Sequence, residues 1–311
     1  MRLYAILVVL ATINSSAWAS CERGATLPPF NGKRVVLADD VLFFRTNAVA
    51  TDFDGSPASY GRQDQGLEDI CNGLAALEPP KCRGAKQQGE CYDACRRAFR
   101  AWDGNPTTIE RHMCSIGLGG SNCSPPRLRL QNEPRQDWLV SETAVRVSPP
   151  DGTPVGRWIG LQDAQIDPFE VSYFVIPGSF RNEKYWDATP GDLGVLVDTK
   201  SRRAFLFIVG DTGGALDEGS AHLVSALKGQ ERLATTKGTS ALGKSVERVE
   251  QPTARGDFRV AIFRHTSPRL PTKAGVVLNK TAAELPGWIG ETAGSKLAAI
   301  GGIDRVLACT E

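Results

Sequence analysis

Two carboxylates, Asp211 and Glu218, stand on either side of a glycine-rich turn in the stretch RAFLFIVGDTGGALDEGSAHLVSAL, residues 203–227. A pair of acids held a short distance apart is what glycoside hydrolysis requires: one carboxylic acid protonates the leaving oxygen while a carboxylate activates water or attacks the sugar. The same residues have a plainer reading, with Asp211 ending a strand and Glu218 capping a helix, because turns favour Asp and helix starts favour Glu. Spacing alone leaves the two readings open.

The surrounding residues say what must hold the pair. Phe205 to Val209 form an apolar run of strand length, which predicts a strand buried on both faces that stops at Gly210 and Asp211. Gly213 and Gly214 follow as turn formers, and from Glu218 the series Ala221, Val224, Ala226 and Leu227 predicts a helix. Asp52 and Asp54 lie in NAVATDFDGSPASYG, where a strand gives way to an Asp-Gly-Ser-Pro turn. They are candidates for substrate contact or for a third catalytic acid, and equally ordinary turn formers. Asp163 and Asp167 in GLQDAQIDP, and Asp192 at the start of the strand after NEKYWDATPGD, are counted with them as cleft-lining candidates. Tyr185 and Trp186 in that last loop could stack on sugar rings or close the end of a barrel.

The block GDLGVLVDTKSRRAFLFIVGDTGGALDEGS, residues 191–220, resembles the core signature of the glycoside hydrolase family 75 chitosanases. Three more segments agree with that family in order: residues 48–61, GLQDAQIDP, and VSYFVIPGSF at 171–180. The resemblance spans much of residues 40–65 and 155–265 and leaves out 82–134. It implies a six-stranded barrel of the double-psi type, and an inverting endo-chitosanase that cuts β-1,4 links between glucosamine units without a cofactor or metal. Asp211 and Glu218 fall on the family's catalytic pair, with Asp211 as base and Glu218 as acid by analogy. The sequence departs from the pattern where Asp217 stands before Glu218 and where the Asp-to-Glu loop is short.

Physical chemistry leaves those roles open, because a Glu at a helix start has its anion stabilised while an Asp at the end of a buried strand is pushed toward its neutral form. Two rival functions also stand: hydrolysis of another amino-sugar polymer, such as peptidoglycan or partly acetylated chitin, and a non-catalytic exported binding protein.

Residues 1–19, with Arg2, the apolar AILVVLA and Ala17-Trp18-Ala19, read as a secretory signal peptide, leaving 20–311 as one domain and, with no second apolar run, no membrane anchor. Of 36 basic and 35 acidic residues, Arg2 leaves with the signal, so no basic field for nucleic acid remains. Asp52, Asp54, Asp64, Glu68 and Asp69 gather around the lone Arg62, an acidic rim that suits a polycation such as chitosan or simply a solvated face. A monomer is expected.

Eight cysteines behind an export signal predict up to four disulfides. Six of them lie at 71–123 and mark a stapled helical and loop insertion at about 71–134; Cys21 with Cys309 would join the two ends of the mature chain. Scattered histidines and the lack of a Cys-x-x-Cys pair argue against zinc. The sequence GTSALGKS at 238–245 satisfies the phosphate-loop pattern, but it lacks a preceding strand and a following core helix, and nucleotide binding is set aside. Helices are expected at 67–77 and 90–102. Short runs rich in β-branched and aromatic residues (VVL, VLFF, WLV, TAVRV, RWIGLQ, VSYFVIP, FRVAIFR, GVVL) predict strands and a mainly β domain, with a partly helical tail at 282–291.

Overall fold

The structure is a computed structural model, and it describes residues 21, 24–61, 66–67, 131–132, 138–181, 186–239, 243, 245–249, 252–270 and 276–311. In chain order its elements are β1 (Ala25–Phe30), β2 (Lys33–Ala38), β3 (Val41–Asp52), β4 (Val145–Arg146), α1 (Val155–Trp158), β5 (Tyr173–Pro177), β6 (Leu193–Asp198) and β7 (Arg203–Gly213). There follow β8 (Glu218–Ser220), α2 (Ala221–Leu227), β9 (Thr235–Thr239), β10 (Ser245–Val249), β11 (Thr253–Phe263), β12 (Val276–Val277), α3 (Leu285–Ala299) and α4 (Gly302–Cys309).

The sheet runs β3-β11-β6-β7-β5-β8 and returns from β8 to β3, closing a six-stranded barrel. Four of its contacts are antiparallel; β5 with β7 and β3 with β8 are parallel. Closure removes the free edges that an open sheet would present. β1 and β2 extend the wall outward from the first half of β3, leaving its second half to pair with β8.

Alternation along each strand builds two cores. Leu42, Phe44, Phe174, Phe207, Val260 and Ile262 form one cluster with Ala221, Leu223 and Val224 of α2, a helix that touches five of the six barrel strands and so plugs one end. Phe43, Tyr173, Val175, Val195, Ile208 and Phe263 form the other, on the outer face, under Leu285, Ile289 and Ala293 of α3 and Val306 of α4. With apolar layers on both sides, the wall strands read as near-continuous hydrophobic runs, which explains why Phe207, Ile208 and Val209 are all fully buried.

Several local expectations meet a different structure. RWIGLQ is not a strand: the extended Pro154 is the N-cap of a short helical turn, α1, and Trp158 is fixed by its indole N–H donating to the carbonyl of Val147 at 2.8 Å. β7 does not stop at Gly210 but runs on to Gly213, so Asp211 lies inside a strand. The phosphate-loop look-alike begins in β9, where no strand was expected, and β9 and β10 pair antiparallel, so its flanks are those of a hairpin rather than a strand and a helix. TAVRV contributes only the two residues of β4, paired with β12. Trp186, partly buried, stacks on Phe180 with ring centres 5.1 Å apart and packs against the barrel cluster. Cys21 and Cys309 form a disulfide. The other six cysteines, Tyr185 and nearly all of the insertion, with both its expected helices, fall outside the described residues.

Candidate active site

The aim of Asp211 is set by an irregularity in β7. Ile208 pairs with Tyr173 and Val209 with Phe174, but the next pair is Asp211 with Val175. Gly210 and Asp211 together therefore span one step of β5, a β-bulge. In an unbroken ladder Asp211 would share the face of Val209 and point into the barrel; the extra residue returns it to the outer face with Tyr173 and Val175. Only glycine fits at the bulge, since a Cβ on Gly210 would come within 2.6 Å of the Tyr173 side chain.

Glu218 reaches the same face from β8. Phe174 pairs with Gly219, which brings Glu218 to the row of Val175, and on its other side Glu218 pairs with Ala50 of β3. Asp211 and Glu218 thus stand two strands apart in one row, with Cα atoms separated by roughly 10 Å. Gly213 leaves room for the acid: a Cβ there would lie 2.8 Å from Glu218 Oε2. Glu218 does not cap the helix. Ser220 does, its Oγ accepting the Leu223 N–H at 3.1 Å.

β3 ends beside this row and delivers two more acids. The carboxylates of Asp52, Asp54 and Asp211 each place an oxygen within 4.8 Å of the others. Asp52 Oδ1 accepts the Asp54 N–H at 2.9 Å, and Asp54 Oδ1 accepts from Tyr60 Oη at 2.5 Å and Ser141 Oγ at 3.0 Å. Asp211 is 8 % exposed, and its Oδ1 accepts the N–H groups of Ala144 at 2.8 Å and Thr212 at 2.7 Å.

Like charges so close cannot all ionise in a buried setting. Burial, then the charge of Asp54, pushes Asp52 up to about 8, a rise to which Glu218 adds. Asp211 lies well above the ordinary carboxylate range through burial and the charges of Asp52 and Asp54, against the pull of its two backbone donors. Burial also raises Asp54, and raises Glu218 together with Asp217 and Asp54. The helix-dipole lowering expected for Glu218 does not operate, because the residue sits in a strand. Among the described residues these three aspartates are the only group spaced to hold a metal ion, and protons relieve the same crowding without one.

The residues that hold the acids are neutral. Gln162 accepts the Ser141 N–H at 2.9 Å and donates to the carbonyl of Gly55 at 2.6 Å; Gln165 accepts the Thr143 N–H at 2.9 Å. GLQDAQIDP thus matters here through its glutamines. Its Asp163 is exposed and lines a cleft of about 630 Å³ with Asp167, Glu170 and Gly55, next to Asp54 but apart from the carboxylate cluster. Asp192 is not brought to the cluster either. It is fully buried, with Oδ2 accepting from the N–H and hydroxyl of Thr189 and Oδ1 from the N–H groups of Thr266 and Ser267. Tyr60, Ser141 and Tyr173 carried no sequence signal of their own; the short range from Asp54 to Tyr60 was the one hint.

No family model and no curated protein matches the chain.

Proposed function

We propose that the protein is a secreted endo-acting glycoside hydrolase of the chitosanase kind, cutting β-1,4 links between glucosamine units with inversion. The observation that carries the reading is the row Asp211–Val175–Glu218, with both acids on one face and Asp211 held toward its neutral form. Inversion, which needs the two carboxyls roughly 6.5–9.5 Å apart to leave space for water, is taken from the family resemblance, and the placement of the acids two strands apart in one row is compatible with it. The double-psi topology that the family resemblance implies belongs to the same proposal and draws support from the two parallel contacts in an otherwise antiparallel barrel.

The roles we assign are opposite to those of the family analogy. Asp211, which burial and the charges of Asp52 and Asp54 hold toward its neutral form, donates its proton to the glycosidic oxygen as the bond to the anomeric carbon breaks. Glu218 takes a proton from the water that attacks that carbon from the opposite side. Protons then return to Asp211 and leave Glu218 through solvent. A cationic polymer is favoured by the cleft that Asp163, Asp167 and Glu170 line beside Gly55. Secretion is supported by the Cys21–Cys309 disulfide, which persists in oxidising compartments. No described helix is long and apolar enough to cross a membrane.

The test is reducing-sugar release from chitosan, chitin and cell-wall sacculi, with the first product's anomer read by NMR. Release from chitosan as the α-anomer is expected, and Glu218→Gln should lose roughly hundredfold or more. Activity confined to sacculi, or chitosan cleavage that survives loss of either Asp211 or Glu218, would overturn the reading.

A further inference from the structure

Tyr173 is fully buried, and three of its parts each meet a different acid-bearing segment. Its hydroxyl lies 2.8 Å from the carbonyl of Asp54 and 3.3 Å from that of Asp52, and within hydrogen-bonding reach of the Asp52 carboxylate. Its side chain leaves no room for a Cβ on Gly210, the bulge that aims Asp211. Its backbone N–H donates to Ser220 Oγ at 3.0 Å, at the end of the strand that carries Glu218.

A phenylalanine would pack against Gly210 equally well, so the packing does not explain the hydroxyl. What needs a tether is the Asp52–Asp54 turn. Its carboxylates repel each other and Asp211, and among the described residues the charged groups that act on Asp52 and Asp211 are Asp54, Glu218 and each other, with no cation among them. A donor fixed to the sheet, anchored on the carbonyls of that turn, holds the acids together against this repulsion. Burial and the neighbouring aspartates keep the phenol protonated, so it stays a donor throughout the range in which the carboxyls titrate.

We infer that Tyr173 is the positioning residue of the site: it holds Asp52 against Asp211 so that the two carboxyls share one proton, with Asp52 as the proton's partner when Asp211 has given its own away. After Asp211 transfers its proton to the leaving oxygen, the pair recovers one from solvent, and Glu218 releases the one it took from water. The catalytic consequence rests on the glycosidase reading above; the shared proton does not.

The experiment is a carboxyl ¹³C NMR titration of the full chain labelled at aspartate, without substrate, on the unaltered protein, Tyr173→Phe and Asp52→Asn, beside kcat and KM on chitosan. In the unaltered protein Asp52 and Asp211 should titrate in two well-separated steps, each seen at both residues, with Asp54 adding a step of its own. In Tyr173→Phe the steps should draw together and kcat should fall by about tenfold to hundredfold, with KM little changed, as misplacement of a reacting group predicts. In Asp52→Asn the Asp211 titration should lose the step it shares with Asp52 and keep only its coupling to Asp54, and this half-buried, near-isosteric change keeps the test alive if Tyr173→Phe does not fold. Unchanged two-step titration in either variant overturns the inference, even if melting temperature falls. Collapsed steps in a protein that cleaves no polysaccharide would uphold the positioning role and remove the glycosidase reading alone.

Discussion

Two parts of the barrel bury aspartates, and burial raises the pKa in both. At Asp192 each oxygen meets two donors from the 189 and 266–267 turns, so the carboxylate ties two loops to the head of β6. Across the barrel wall, the donors that Asp211 meets among the described residues are the N–H groups of Ala144 and Thr212, both on one oxygen, and it faces two other carboxylates besides. The same residue type at comparable depth is a structural clamp when its neighbours donate. It is poised for proton transfer when its neighbours repel.

The largest effects should fall on opposite properties. Asp211→Asn should abolish most chitosan cleavage, roughly hundredfold or more, while leaving the melting temperature close to that of the unaltered protein. Asp192→Asn sets an amide NH₂ against N–H donors and should cost about 3 kcal/mol, or roughly 10 °C in melting temperature, with turnover per folded molecule preserved. Circular-dichroism melts beside reducing-sugar assays check both, and an inactive but stable Asp192→Asn would erase the contrast.

A smaller effect is expected from the bulge. Gly210→Ala meets Tyr173 and should destabilise by about 1–3 kcal/mol and lower activity with it, whereas Gly214→Ala, with open space around it, should change neither. Next comes pH. Asp52 has a folded-state value of about 8 against an ordinary value of 3.8, so the folded protein binds its proton more tightly than the unfolded chain does. Stability from this group is therefore fully present below 3.8 and is lost as pH rises through 8. Asp52→Asn should melt with the unaltered protein at pH near 4 and higher at pH near 8, by about 3 °C for each kcal/mol recovered. The smallest effect is a null: a chelator should move neither activity nor melting temperature, and a fall in either would mean that the cluster holds a cation instead of a proton.

What could be read from the residues follows from which forces are local. The apolar run at Phe205 to Val209 announces a doubly buried strand because both faces of the wall need apolar side chains. The acids beside it are visible because few residue types do proton chemistry. The bulge at Gly210 is invisible, since nothing in VGDTG says that one residue of β7 has no partner on β5; that depends on where Tyr173 of a different strand stands. β8 is hidden for a related reason. Three residues, one of them glycine, form a strand only because β3 and β5 flank them, so Glu218 reads as the start of a helix that in fact begins after Ser220. RWIGLQ shows the converse error, where aromatic and β-branched composition outweighed the proline that starts a helical turn.

The bond between Cys21 and Cys309 spans a sequence separation of 288 residues and turns almost the whole described chain into a covalent ring. A protease that cuts once between β9 and β10, a hairpin outside the barrel sheet, would open the ring without releasing a fragment. The nicked molecule would keep every barrel strand attached. By the same logic the two cysteine-bearing ends could be fused and new ends opened in that hairpin, giving a rearranged gene whose product retains the carboxylate cluster.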